Sequence, residues 1–383
     1  MNRIYLDYSA TTPVAPEVLE AMRPYLTDFF GNASSIHAFG REAKVAVDAA
    51  RERLASALGA LPQEIVFTSG GTEAANLAIF GVARTFAEPR HIVTSRVEHP
   101  CVLNSCKELE KSGWQVTYVE PDSTGMITVD AVRAAIRPGT ALISIMYANN
   151  EVGTINSLAE MAQLAAERKI LFHTDAVQVF GKVPIDVRQI PVSLLSLSGH
   201  KIYGPKGMGA LFVRRGVKLQ PLLFGGHQER ERRAGTENVA GIVGLGRAAE
   251  VAVTDRAAEA ERLRILSEKF WQQLQQIFPS AAMNGNPASR LPAVLNLSFP
   301  GFESTALVMS LDLQGIAVSN GSACSSGSVE VSHVLRAMKI SRERAVSALR
   351  FSFGRYTTEA EVETTLQALA KILQRQGRPN FAG

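Results

Sequence analysis

The apolar residues in the first two thirds of the chain follow two alternating periodicities. Over residues 38–58 and 158–168 they recur every three or four positions, which predicts amphipathic helices. Between such stretches lie short apolar, β-branched runs at 64–68, 91–95, 115–119, 141–146, 170–174, 193–198 and 209–213. Because these runs are apolar at consecutive positions, we expect parallel strands buried on both faces. The alternation predicts an α/β fold with a large, doubly wound, mostly parallel sheet.

The pattern changes near residue 238. A long helical stretch covers 238–278, followed by predicted strands at 293–298 and 349–352 and predicted helices at 304–311, 332–338 and 358–374. These elements are enough for a second, smaller α/β layer. We therefore predict an N-terminal arm (1–15), a large domain (16–255) and a small C-terminal domain (256–383) that carries a loop around Cys324.

Composition and charge exclude several classes of protein. With 383 residues, 46% hydrophobic and 20% charged, the chain has enough apolar material for a large core. Forty Lys and Arg against 36 Asp and Glu leave a scattered net charge of +4, so we expect no nucleic-acid or membrane-surface partner. No apolar run reaches the roughly 18 residues of a membrane span, and the start has no signal segment, which predicts a cytoplasmic protein.

Small and hydroxyl-bearing residues follow the first strand of the predicted sheet. Strand 64–68 leads into Gly71, Thr72 and Glu73 and then into an apolar helix. Since backbone N–H groups at a helix N-terminus bind phosphate, this segment is a candidate phosphate site. It has neither the Walker A order nor the G-x-G-x-x-G order, and a glycine turn with a threonine cap explains it equally well.

Polar and ionisable residues follow two further strands. Asp175 and Gln178 come after 170–174, and Ser198, His200 and Lys201 come at the end of 193–198 or just after it. Taken alone, Lys201 is typical of an exposed turn. Together, a lysine for a Schiff base, an acid for a pyridine nitrogen and small residues around a phosphate are what pyridoxal 5'-phosphate requires. All of them lie at carboxyl ends of strands, where open α/β sheets bind ligands.

Three more residues have chemistry that suits this site. His99 follows strand 91–95 and is a candidate to stack on the cofactor ring, or else a helix-start residue. Asn150 follows strand 141–146 and is a candidate hydrogen-bond donor to ring or substrate, or else part of a turn. Arg350 begins a strand, and a guanidinium buried there needs a carboxylate such as that of an amino-acid substrate.

The three cysteines are too few for a disulfide framework. Cys324 lies in a Ser- and Gly-rich stretch at 319–328, which predicts an accessible loop and a candidate nucleophile, with an incidental surface cysteine as the alternative. Cys101 and Cys106 fall in a predicted helix, and we interpret them as small buried hydrophobes. The remaining histidines lack metal-ligand spacing, and the charged run 229–233 is typical of a solvated or interfacial surface.

Motifs along nearly the whole chain resemble one family. They are, in chain order, residues 5–13, 30–32, 69–73, 98–99, 149–151, 173–178, 198–201, 233–238, 321–324 and 350–352. This ordered set is similar to that of the class I cysteine desulfurases, the NifS/IscS-like branch of the fold-type I pyridoxal-phosphate enzymes. The chain departs from the family at Val331, where proline is frequent, and in its short C-terminal tail, which bears on docking to a scaffold protein.

The resemblance implies a homodimeric fold-type I transferase that binds pyridoxal 5'-phosphate. In it Lys201 would form the Schiff base, Asp175 would pair with the pyridinium, Gln178 would bond the ring oxygen and His99 would stack on the ring. The phosphate would be held by Thr72, Ser198 and His200, beside Gly71 and Glu73, and by Thr236 across the dimer interface. The residues that would orient substrate are Asn32, Asn150 and Arg350.

The resemblance also implies the reaction. L-cysteine would be converted to L-alanine, with the sulfur left on Cys324 as a persulfide and then passed to an iron–sulfur scaffold or another sulfur acceptor. No resident metal is expected, although Cys324 is a candidate transient ligand of a cluster.

Two other functions remain open from the residues. A selenocysteine lyase or an aminotransferase would use the same cofactor without needing Cys324. A non-catalytic sulfur carrier or assembly scaffold would keep the fold without the cofactor, and the set of Lys201, Asp175 and His99 argues against it.

Overall fold

The computed structural model describes residues 3–320 and 331–376 of the chain. In chain order its strands are β1 (Ile4–Tyr5), β2 (Ile65–Thr68), β3 (His91–Ser95), β4 (Gln115–Val119), β5 (Thr140–Ser144), β6 (Leu171–Asp175), β7 (Leu194–Ser198), β8 (Gly209–Val213), β9 (Ala282–Asn284), β10 (Val294–Ser298), β11 (Ile316–Ala317) and β12 (Ala348–Ser352). The helices are α1 (Pro16–Met22), α2 (Pro24–Thr27), α3 (Ala38–Leu58), α4 (Gly71–Ala83), α5 (Pro100–Lys111), α6 (Val129–Ala135), α7 (Leu158–Glu167), α8 (Val239–Ile277), α9 (Ser304–Asp312), α10 (His333–Ala337), α11 (Arg342–Val346) and α12 (Glu359–Gln376).

The large sheet has the strand order β2-β8-β7-β6-β5-β3-β4. Neighbouring strands from β4 to β7 are parallel, whereas β8 is antiparallel to both β7 and β2. The mostly parallel sheet is therefore confirmed, but the expectation that residues 209–213 run parallel is wrong. The connection from β7 to β8 covers only residues 199–208, and a parallel crossover needs about a dozen residues or more.

Alternate residues of each central strand point to opposite faces of the sheet. On β2, Ile65 and Phe67 pack in an apolar cluster with α3, α7 and α8, while Val66 packs in a second cluster with α4 and α5. Fully burying a side chain of this size contributes about 1.5–3 kcal/mol. Helices thus cover both faces, and polar groups that follow the strands are left at the rim.

Helix α3 forms where the sequence repeats small and apolar residues. Ala43, Val47, Ala50 and Leu54 are fully buried on one face, and the helix ends at Gly59, whose φ of 69° is left-handed. That face packs on α8, where a Cβ added to Gly246 would lie 2.8 Å from the Cα of Ala50. Small residues on both helices therefore allow a close approach.

The C-terminal part of the chain forms its own sheet, with the order β12-β10-β9 and antiparallel pairing. Phe270 of α8 packs there with Phe351 of β12 and with Leu369 of α12 in a separate apolar cluster. Helix α8 runs without a break past residue 255, so the domain division near that position stays a prediction. Among the described helices, none combines the length and apolar character needed to span a membrane.

Candidate active site

A cavity of about 420 Å3 opens at the carboxyl edge of the large sheet. This volume lies in the range of small-molecule and cofactor sites. The cavity is lined by these residues that the sequence predicted for the site: Gly71, Thr72, His99, Asn150, Asp175, Gln178, Ser198, His200, Lys201 and Arg350. Residues from several strand ends, and Arg350 from the smaller sheet, therefore meet in one place.

One end of the cavity suits a phosphate group. Helix α4 begins at Gly71, where a Cβ would lie 2.7 Å from Cγ2 of Val177, so glycine lets the helix N-terminus approach the turn after β6. Gly71, Thr72 and Ser198 line the cavity together, so the N-terminus of α4 and two hydroxyl-bearing residues border the same space. Burial lowers the pKa of His200 to about 4, so its ring is neutral and contacts Thr11 Oγ1 at 3.1 Å.

Asp175 is the last residue of β6 and lies buried at the cavity wall. Its Oδ1 accepts the backbone N–H of Val177 at 2.9 Å, and among the described residues no group donates to Oδ2. Burial raises the pKa of Asp175, against the opposing effects of the Val177 hydrogen bond and the His99 and Lys201 charges. A carboxylate so placed favours a cationic group in the cavity, such as a protonated pyridine nitrogen.

Lys201 follows β7 in a short turn and reaches the same cavity as Asp175. Its Nζ donates to the carbonyl oxygens of Ser9 and Ala10, both at 2.6 Å. Burial, followed by the charge of Arg350, lowers the pKa of Lys201 to about 8. A larger fraction of this amine is therefore neutral near pH 7 than for an ordinary lysine, as attack on a carbonyl group requires.

His99 caps the N-terminus of α5. Its Nδ1 accepts the backbone N–H of Cys101 at 3.2 Å, and the Cys101 Sγ lies 3.0 Å from the same nitrogen. Because a backbone N–H can only donate, the neutral ring carries its proton on Nε2. Burial lowers the pKa of His99, which keeps the ring neutral.

The interpretation of the two helical cysteines holds for one of them. Cys106 is buried in an apolar cluster, but Cys101 lines the cavity. Ligand atoms of His99, Cys101 and Asp175 lie within 4.8 Å of one another, an arrangement that a metal ion can use. A cysteine ligand must be a thiolate, so a metal here would have to displace the proton of Cys101, whose pKa is raised by burial far above its usual range.

Arg350 finds a carboxylate within the protein itself. Its Nη2 donates to Asp7 Oδ1 at 2.7 Å and its Nη1 to the Asn150 carbonyl oxygen at 2.9 Å, while the buried Nε has no partner among the described residues. The expectation that a guanidinium here needs a carboxylate is thus met by Asp7. An incoming carboxylate would have to share Arg350 or displace that contact.

Three residues predicted for the site lie outside the cavity. The Glu73 carboxylate accepts hydrogen bonds from Arg233 and the Ser69 N–H; burial raises its pKa, but these bonds outweigh it and the net pKa is lowered. Asn32 is exposed and accepts the Ser34 N–H. Thr236 is exposed and lines a neighbouring cavity of about 170 Å3. Cys324 lies outside the described residues.

Several residues that line the cavity or contact its side chains were missed by the sequence analysis. Ser9 and Ala10 receive the Lys201 amine, Asp7 pairs with Arg350, and Cys101 contacts His99. The segment 5–13 was singled out only as a motif, because nothing in its periodicity connects it to residues about 200 or more positions away. The sequence did hold a signal for Cys101, because a cysteine two positions after His99 at the start of a helix lies near the same strand end as His99.

Comparison with known proteins identifies the family. A sequence model described as "Aminotransferase class-V" matches residues 4–365. The chain belongs to the aminotransferase class-V family. Cysteine desulfurase IscS of Dictyoglomus turgidum is 49% identical over 375 residues, which cover 98% of this chain and 95% of that protein. The resemblance predicted from the motifs is confirmed.

Solved structures agree. A structure named NifS-like protein matches with a TM-score of 0.93 at 38% identity and covers 98% of this chain and 100% of that one. The structure of SspA in complex with cysteine matches with a TM-score of 0.81 at 41% identity and covers 93% of this chain and 100% of that one. The family fold, a large mostly parallel sheet with a smaller α/β part, is thereby confirmed.

Proposed function

We propose that this protein is a pyridoxal-phosphate-dependent cysteine desulfurase that supplies sulfur for iron–sulfur cluster assembly. The observation that carries the proposal is the meeting, in one cavity, of the Lys201 amine, the buried Asp175 carboxylate and a helix N-terminus suited to phosphate. Cysteine desulfurases about 49% identical over nearly the whole chain support the activity. The SspA structure, which holds cysteine, supports L-cysteine as the substrate.

Each residue of the cavity has a distinct task in this proposal. When bound, the cofactor supplies an aldehyde that condenses with amines and a ring that withdraws electrons. Lys201 would hold the cofactor through Nζ, and its free amine would accept the substrate Cα proton at the same atom. Asp175 keeps a proton on the ring nitrogen, and His99 offers a neutral ring with its proton on Nε2.

The sulfur moves to Cys324, which we propose as the nucleophile. Its thiolate attacks the sulfur of L-cysteine, a new S–S bond forms, and the Cβ–S bond breaks. The sulfur is oxidised to the persulfide level while the carbon skeleton is reduced and takes up protons to become L-alanine, so no external oxidant is needed. Arg350 and Asn150 lie where they can orient the substrate carboxylate.

A homodimer completes the proposed site. Phe30 and Phe39 stack with ring centroids 5.6 Å apart although they are 72% and 53% exposed, and Ile36 and Phe224 are exposed as well. Exposed apolar groups of this size favour an interface. Thr236, exposed and outside the cavity, is suited to reach the phosphate of a partner subunit. A cytoplasmic location and the identity of the sulfur acceptor stay predictions.

The test is incubation of the protein with pyridoxal 5'-phosphate and L-cysteine. We expect L-alanine, and one sulfur atom added to Cys324 by intact-mass and peptide mass spectrometry. Cys324→Ala should keep the visible absorption of bound cofactor and lose alanine formation, whereas Cys106→Ala, a change at a buried cysteine, should keep both. Full turnover by Cys324→Ala would favour a selenocysteine lyase or an aminotransferase. A protein that binds no cofactor would favour a non-catalytic scaffold.

A further inference from the structure

A lysine without an assigned role contacts one of the proposed cofactor ligands. Lys182 lies four residues after Gln178, in the turn region that follows β6, and its Nζ donates to Gln178 Oε1 at 3.2 Å. The Gln178 side chain is buried and lines the main cavity. Lys182 itself does not line that cavity but a smaller one of about 60 Å3 behind it.

The other end of the Gln178 amide is held as well. Its Nε2 donates to the carbonyl oxygen of Ser9 at 2.9 Å, the same oxygen that receives the Lys201 amine at 2.6 Å. Rotating the amide by a half-turn would place its NH2 group against the Lys182 ammonium and its oxygen against the Ser9 carbonyl. Both contacts would be unfavourable, because each would pair two donors or two acceptors.

We propose that Lys182 is a positioning residue, which acts together with the Ser9 carbonyl to hold the Gln178 amide so that its second N–H donates a hydrogen bond to the cofactor ring oxygen. The inference rests on the proposed function. One N–H of the amide is used by Ser9, and the second is then the group available to a ligand. Without Lys182, the Ser9 carbonyl alone would orient the amide, and the flipped orientation would be less strongly disfavoured.

The alternative to a positioning role is that Lys182 acts only through its charge. Burial, followed by the charges of Lys201 and Arg350, lowers the pKa of Lys182 to about 7, and no acidic side chain in the described part of the chain pairs with it. Removing Lys182 would therefore change the field at the cofactor as well as the orientation of Gln178. The charged Nζ can only donate, whereas the neutral amine can also accept a hydrogen bond, so the orienting effect is strongest below the Lys182 pKa.

A double-mutant cycle distinguishes the two roles. The variants are Lys182→Met, Gln178→Ala and their combination, with Lys218→Met as an exposed-lysine control. The readouts are the dissociation constant of pyridoxal 5'-phosphate and the pH midpoint of the visible absorption change of the bound cofactor, with the unfolding temperature as a check on folding. Lys182→Gln replaces the methionine variant if that protein does not fold.

We expect Lys182→Met to weaken cofactor binding about tenfold, which corresponds to about 1.4 kcal/mol, and to shift the pH midpoint upward. In the Gln178→Ala background the same change should have less than about a twofold effect, and Lys218→Met should have none. Equal effects in both backgrounds would overturn the proposal in favour of a field effect. Unaltered cofactor binding by Lys182→Met would overturn the proposal and would also argue against a field effect. Failure of the wild-type protein to bind the cofactor would instead overturn the proposed function.

Discussion

Replacing Asp175 by asparagine tests the effect of the negative charge at the cavity wall. The amide keeps the shape of the side chain and the acceptor for the Val177 N–H at 2.9 Å, but it cannot ionise. Opposite effects are therefore expected on the two states of the protein. Cofactor binding loses its anionic partner, and the cofactor-free protein no longer has to bury a carboxylate.

The magnitude follows from the burial of the group. A hydrogen bond to a charged partner contributes about 1.5–3 kcal/mol, so the dissociation constant of pyridoxal 5'-phosphate should rise about 10- to 150-fold in Asp175→Asn. The folded-state pKa of Asp175 is raised above its unfolded value of about 3.9. Its contribution to stability is therefore present at low pH and lost as the pH rises through the folded-state pKa. The stability of the asparagine variant should not fall for this reason, because its side chain cannot ionise.

The assay combines absorbance titration with the cofactor and urea unfolding of the cofactor-free protein at pH 5 and pH 8. Asp130→Asn serves as the control, since the Asp130 side chain is 96% exposed. The free energy of unfolding should fall less from pH 5 to pH 8 in Asp175→Asn than in the wild type. Undiminished cofactor affinity, or a variant less stable than wild type only at pH 8, would refute the assignment of Asp175 as a buried, ligand-directed carboxylate.

Three further predictions concern buried groups. Arg51 and Glu229 form a buried ion pair at 2.6 Å, and Glu229→Gln leaves the Arg51 charge buried without a charged partner. The free energy of unfolding in urea titrations should fall by about 3–5 kcal/mol, and a loss under about 1 kcal/mol would contradict this. Burial raises the pKa of Glu98 to about 8, so the wild-type free energy of unfolding should fall as the pH rises from about 4.3 to 8. Glu98→Gln should make this fall smaller, and parallel pH profiles of the two proteins would contradict the raised pKa. Cys324→Ala should react slowly with iodoacetamide at pH 8, since burial raises the pKa of Cys101, and rapid labelling at Cys101 would overturn that reasoning.

The strands and the cavity were predictable because their signals are local. Runs of consecutive apolar residues mark buried strands, and the bounds of β3, β4 and β8 agree with the predicted ones. Polar residues directly after parallel strands must meet at one edge of the sheet, whatever the rest of the fold does. Asp175 and Lys201 accordingly line the same cavity, and their roles in a cofactor site stay a proposal.

The missed features depend on contacts between distant parts of the chain. The run 229–233 was interpreted as solvated or interfacial, yet Glu229 is buried, accepts two hydrogen bonds from Arg51 and binds the Phe67 N–H. No local pattern distinguishes a charge that finds such a partner from one that faces water. The direction of β8 did have a signal, since the connection at 199–208 is too short for a parallel crossover.

The side-chain charges around the cavity give a second reason why it favours an anionic ligand, in addition to the N-terminus of α4. Lys201, Arg350 and Lys182 lie close enough that Arg350 lowers the pKa of both lysines, while the negative charges of Asp7 and Asp175 oppose this effect at Lys201. A phosphate or carboxylate that enters relieves this repulsion and raises the pKa of both lysines. Anion binding near neutral pH is therefore coupled to proton uptake, and the charge of Arg350, which adds to burial in lowering the pKa of Lys201, also favours an anionic ligand.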